Sequence, residues 1–126
     1  MTAVLLDTQA FVWWVVQPDL LSPSAIEAVG EADVAYVSAV SVYEIDIKRG
    51  RDGLLARMPD DLPASLSELG FQWDAVSPEA ARQAARLPWL HRDPWDRLII
   101  AQAQALGAAL VSADRQFIHY QVEVVW

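Results

Sequence analysis

The chain contains no cysteine, so it can hold neither a disulfide framework nor a thiolate metal site. Its histidines number only two, His91 and His119, which leaves little for a zinc centre that prefers His and Cys ligands. Basic residues are also scarce, with nine Lys and Arg against seventeen Asp and Glu and a formal net charge of −8. That balance argues against a sequence-wide electrostatic grip on nucleic acid, which normally shows as a basic face or stripe. A polyanionic substrate would need the acids to be neutralised locally. The longest unbroken apolar stretch runs only from Ala10 to Val16, far short of the roughly 20 residues of a membrane span. The opening MTAVLLDTQ carries no basic segment ahead of an apolar one, so no secretory signal is visible and a cytoplasmic location is expected. Repeats, low-complexity tracts and long linkers are missing too.

What is present is a compact, apolar sequence of 126 residues with 54% hydrophobic content, expected to form a single domain over residues 1–126. Short strand patterns alternate with helical ones. AVLL at Ala3–Leu6 reads as a buried strand, and Thr8–Val16 as a helix covered on most sides. Ser22 and Pro23 open a second helix, followed by a strand over Val34–Ala39. The S-x-x-E pattern of Ser41 to Glu44 predicts a capping box, with Glu44 in the first turn of a helix towards Arg49. A helix over Asp60–Leu69, a strand over Phe71–Val76 and a helix from Ser77 to Leu87 follow. Asp93 as N-cap and Pro94 as first residue begin a helix that Gly107 closes. Ala108–Ser112 and Val122–Val125 complete the strands, with a short turn or helix between them. This alternation predicts an α/β fold, a three-layer α/β/α sandwich around a parallel sheet of about five strands.

In such a sheet helices begin at the edge where strands end, which is where ligands bind. Asp7, Glu44, Asp96 and Asp114 all fall at that edge. Each alone could be an acid at a helix N-terminus, contributing roughly 0.3–1 kcal/mol. Together, beside strongly apolar segments, they would be costly without a partner, and a shared hard cation, Mg²⁺ or Mn²⁺, would remove the cost.

Four separated segments, LLDTQAFVWW, SAVSVYEIDIK, HRDPWDRLIIAQA and ALVSADRQF, occur in an order that resembles the PIN-domain ribonucleases, among them the VapC-type toxins of toxin-antitoxin modules. The resemblance implies a metal-dependent endoribonuclease with Asp7, Glu44, Asp96 and Asp114 as catalytic metal ligands. It also implies an RNA substrate, a small cognate antitoxin and a homodimer, and no membrane association. Asp93 is expected to cap its helix, with Thr8 and Ser41 as further candidates for a supporting shell. Lys48, Arg49, Arg51 and Arg97 are candidate contacts to RNA phosphates, each with solvated surface charge as the competing reading. Asp46 is expected to face away from the site, and base stacking by Trp13 or Trp14 competes with an ordinary core role. Two other α/β enzyme classes fit poorly. A haloacid-dehalogenase-type phosphatase would want an acid where Gln9 stands, and a response-regulator receiver would want paired acids at the end of the first strand. The alternative of another class is a non-catalytic PIN-like module that only dimerises or binds a partner, its acids serving as caps.

Overall fold

The computed structural model describes residues Met1–Trp126. Five strands form one sheet: β1 (Ala3–Leu6), β2 (Val34–Ser38), β3 (Gln72–Asp74), β4 (Ala109–Val111) and β5 (Val124–Val125). Their order is β3-β2-β1-β4-β5 and every pairing is parallel. The helices are α1 (Thr8–Val16), α2 (Pro23–Glu31), α3 (Ala39–Lys48), α4 (Leu62–Ser65), α5 (Pro78–Arg86) and α6 (Pro94–Leu106). Alternation along the strands divides the core in two. Val4, Leu6, Val37 and Val111 face a cluster with Phe11, Ile45, Leu62 and Phe71, on the side of α1, α3 and α4. Leu5 and Leu110 face the opposite cluster, with Ile99, Ile100 and Phe117, under α6. This is the expected three-layer sandwich, and β1 is its central strand because its apolar residues are buried on both sides.

Helix starts follow local chemistry. Ser22, Ser77 and Asp93 each accept a backbone N–H of the first turn, and a proline stands at the start of each helix they cap. Gly107 adopts φ 62°, the left-handed conformation that closes α6 at little steric cost.

Three segments differ from expectation. Helix α3 begins at Ala39, capped by Ser38 rather than Ser41, so Glu44 lies in its middle and not in its first turn. Ser41 is buried and hydrogen-bonds Thr8 at 2.8 Å, which removes it from capping. The helix expected over Asp60–Leu69 is regular only through Ser65. Beyond it Leu69 and Gly70 make tighter three-residue turns to Leu66 and Ser67, bringing Phe71 back into the core. The outer strands are shorter than the apolar runs that suggest them, since residues such as Phe71 are buried by core packing, outside the strand ladder.

The chain runs from β1 to β2 and β3 on one side, then crosses to β4 and β5 on the other. The reversal lies between β1 and β4, where the ends of adjacent parallel strands leave a crevice. Asp7 follows β1 there, its N–H bonded to Val111 O at 3.1 Å, and Ser112 follows β4.

Candidate active site

A cleft of about 450 Å³ opens at this crevice, and Asp7, Glu44, Asp96 and Asp114 all line it. Four carboxylates widely separated in sequence thus converge, as expected. Gln9, Trp13, Lys48 and Leu54 form part of its remaining wall.

Asp7 is buried and caps α1, its Oδ1 accepting the Ala10 N–H at 2.8 Å. Its Oδ2 accepts the Ser112 hydroxyl at 2.5 Å, and Ser112 Oγ in turn accepts the Asp114 N–H at 3.0 Å. Burial nevertheless dominates and pushes the Asp7 carboxyl up to about 6; the two hydrogen bonds oppose this, while Asp114 and Glu44 add to it. Asp96 is pushed further, to about 8, first by burial and then by repulsion from Asp93, Asp7, Glu44 and Asp114. Two acids with such acidities, held in one cleft by separate elements, form a site poised to gain from positive charge.

Positive charge is sparse there. Lys48 Nζ pairs with Glu44 Oε2 at 2.8 Å along α3. His91 Nε2 lies 3.1 Å from Asp96 Oδ2 and 3.0 Å from Asp114 Oδ2. Capping accounts for some of the acids and not others. Asp7 caps α1, Asp114 caps the 3-10 turn Arg115–His119 through the Gln116 N–H, and Asp93 accepts the N–H groups of Trp95 and Asp96. Asp96 and Glu44 cap nothing: their polar partners are His91 and Lys48.

The remaining candidates divide. Thr8 and Ser41 bond each other and brace α1 against α3; no hydrogen bond joins either side chain to the carboxylates. Asp46 faces away and pairs with Arg49 at 2.7 Å. Lys48 lines the cleft and Arg51 is exposed beyond it. Arg49 is not free for a phosphate, because its guanidinium also donates to the carbonyls of Leu55, Met58 and Pro59 and closes the loop after α3.

Arg97 is a clearer correction. Only 3% exposed, it donates to the carbonyls of Pro88 and His91 through one nitrogen and of Ala84 and Leu87 through the other, at 2.7–3.1 Å. Trp89 covers its outer face at 4.0 Å. A planar guanidinium with five fixed donors suits such a cluster of carbonyls, and it ties the end of α5 and the loop before α6 to α6 itself. Trp13 packs on Trp126 at 5.6 Å and Trp14 on Phe71 at 6.0 Å, so both rings have protein partners.

Two participants escape the sequence reading, His91 and Ser112. Ser112 is signalled only as the polar end of an apolar strand, two residues before Asp114. His91 is signalled only by its place in HRDPWD, shortly before a capped helix.

Residues 4–123 match the PIN domain family model. The chain is 34% identical over 119 residues to Ribonuclease VapC22 of Mycobacterium tuberculosis, covering 92% of this chain and 90% of that protein. Its fold is similar to VapBC2 from Rickettsia felis bound to a promoter DNA fragment, with a TM-score of 0.72 at 16% identity over 98% and 97% of the two chains. It is also similar to a toxin-antitoxin complex from Klebsiella pneumoniae, with a TM-score of 0.67 at 18% identity over 98% and 96%. With the acids of its four motifs gathered at the sheet's switch point, and a family match spanning nearly its whole length, the chain belongs to the PIN-domain family.

Proposed function

We propose that this protein is a metal-dependent endoribonuclease, the toxin of a toxin-antitoxin module, whose Asp7, Glu44, Asp96 and Asp114 together hold Mg²⁺ or Mn²⁺. The observation that carries the reading is the convergence of four carboxylates from separate elements in one cleft, where burial and mutual repulsion make Asp7 and Asp96 weaker acids than usual. A non-catalytic module whose acids serve as caps accounts for Asp7, Asp93 and Asp114 but gives Asp96 and Glu44 nothing to do. The donor set fits a hard cation: it is almost entirely carboxylate oxygen, with no thiolate available. When bound, such a cation supplies positive charge against phosphate oxygens and acidifies water for in-line attack on phosphorus.

The chain's own residues do the rest. Ser112 and the Ala10 N–H hold Asp7 in one rotamer, and Asp93 sets the start of α6 so that Asp96 enters the cleft from its first turn. Lys48 stands beside the acids where the flanking phosphates of an RNA strand would pass, and Arg51, exposed in the turn after α3, is a further candidate contact.

An antitoxin segment carrying arginine could enter the same acidic edge with bidentate contacts to the carboxylates. Resemblance to the family supports that partner, a homodimer and a cytoplasmic place of action; no helix is long and apolar enough to cross a membrane. The test is cleavage of RNA by the purified chain with Mn²⁺, with chelator, and after Asp96→Asn. Metal-dependent cleavage lost in the variant is expected. Cleavage that persists in chelator, or no cleavage with Mn²⁺, would refute the reading.

A further inference from the structure

We propose that His91 is a positioning residue, holding Asp114 beside Asp96 through its Nε2–H without itself binding the metal. The inference rests on the metal site of the proposed function. Its ring is fixed on several sides. Phe117 stacks against it with centroids 5.3 Å apart and planes inclined by 24°. Its backbone N–H donates to the Tyr120 hydroxyl at 2.7 Å, which donates onward to Pro88 O at 2.8 Å, and its carbonyl accepts from Arg97 at 3.1 Å. The buried guanidinium and the phenol therefore fix the loop that presents the imidazole.

The two ring nitrogens are not equivalent. Nδ1 faces the Asp93 backbone N–H at 3.3 Å and can only accept from it, so that nitrogen is bare and the proton sits on Nε2. Nε2 then donates to Asp114 Oδ2 at 3.0 Å, and Asp96 Oδ2 lies beside the same nitrogen at 3.1 Å. A nitrogen carrying hydrogen has no lone pair for a cation. It is, however, a donor to Asp114 placed where Asp96 comes closest, so it fixes one acid next to the other. The three groups offer atoms within 4.8 Å of one another, yet they come from a loop, the first turn of α6 and the turn after β4. Asp114 retains lone pairs for a metal, since an ionised carboxylate offers about four acceptor sites and His91 occupies one. Asp114 is the group that depends on this hydrogen bond, being bonded to the imidazole and the more exposed of the two carboxylates.

The experiment compares wild type, His91→Phe and His91→Gln. Phe keeps the stack on Phe117 and loses the donor, whereas the Gln amide can return an N–H near the Nε2 position. Mn²⁺ binding followed by calorimetry is expected to weaken about 10- to 100-fold in His91→Phe, as for loss of a partner that orients metal ligands. His91→Gln is expected to recover most of that loss. Pulsed EPR of the Mn²⁺-loaded wild type is expected to show no directly coordinated nitrogen. Unchanged Mn²⁺ affinity in His91→Phe, no recovery in His91→Gln, or strong nitrogen coupling in the wild type would each overturn the proposal. Long-range ¹H–¹⁵N NMR of the metal-free wild type reads the tautomer without any variant that might misfold. The proton is expected on Nε2 alone, and a proton on Nδ1 would overturn the assignment. A wild type that binds no Mn²⁺ but shows this tautomer would refute the metal reading and, with it, the positioning role of His91. A wild type that binds Mn²⁺ through a coordinated nitrogen would refute only the role of His91.

Discussion

Replacing Asp7 by Asn is expected to stabilise the metal-free protein above neutral pH while abolishing its proposed activity. The carboxyl rises from 3.8 to about 6 on folding because burial penalises its charge. By linkage that difference corresponds to roughly 3 kcal/mol of destabilisation once the group is ionised in both states. The sign follows from the protons bound. Below about pH 4 the acid is neutral folded and unfolded, and contributes nothing. Between 3.8 and about 6 the folded state holds its proton longer, so stability falls as pH rises, and the full penalty is present above that window. Asn removes the charge but keeps an oxygen for the Ala10 N–H; its amide must then donate to Ser112 Oγ, which has to turn its own proton elsewhere. Allowing about 1 kcal/mol for that rearrangement leaves a gain of about 1–2 kcal/mol at pH 8. Scanning calorimetry in chelator at pH 8 and pH 4 reads it directly, with the gain expected only at pH 8. With Mn²⁺ the order is expected to reverse, because wild type gains about 2.7 kcal/mol when the ion is at a hundred times its dissociation constant. An equal shift in melting at both pH values, or destabilisation at pH 8 in chelator, would refute the assignment of the penalty to ionised Asp7.

Asp93→Asn is expected to keep its helix cap and most RNA cleavage, whereas Asp96→Asn is expected to lose cleavage by orders of magnitude with the fold intact; equal activities, measured at saturating Mn²⁺, would contradict both roles. Arg97→Lys is expected to cost about 2–4 kcal/mol in urea unfolding, because one ammonium cannot satisfy four carbonyls, and an undiminished midpoint would count against the clamp. Lys48→Ala is expected to reduce the salt dependence of RNA binding by about one phosphate contact, checked by titrating RNA at several salt concentrations; an unchanged slope would remove Lys48 from the RNA path.

Local chemistry was the most legible part of this chain. Ser22 with Pro23, Ser77 with Pro78 and Asp93 with Pro94 mark helix starts that the fold keeps, because a side-chain acceptor and a ring without N–H act within one turn. The convergence of the acids was legible as well, since a parallel sheet sends every strand end to the same edge. Choices between equal local candidates were not. Ser38 and Ser41 both suit the start of α3, and only the contact of Ser41 with Thr8 across the layers separates them. Arg97 looks like any basic residue in a helix, and its burial depends on carbonyls from another helix and a loop that meet only in the folded molecule. His91 was invisible for a related reason. The partners that give it meaning, Asp114 and Phe117, arrive from the far side of α6 and β4.

The hydrogen bond between Asp7 and Ser112 joins positions 105 residues apart. Synthesis proceeds from the N-terminus, so Asp7 is made early and waits for its partner. Until β4 slots beside β1, the central strand lacks a neighbour and the carboxylates have no common cleft. The proposed site therefore predicts that a growing polypeptide carries the parts of a hydrolase without the assembled tool, and that the ribosome making it handles an inert chain for most of the translation time. A ribosome-bound chain halted at Val111 would leave out Ser112 and Asp114 and is expected to cleave no RNA, whereas cleavage by such a stalled chain would show that the early acids suffice.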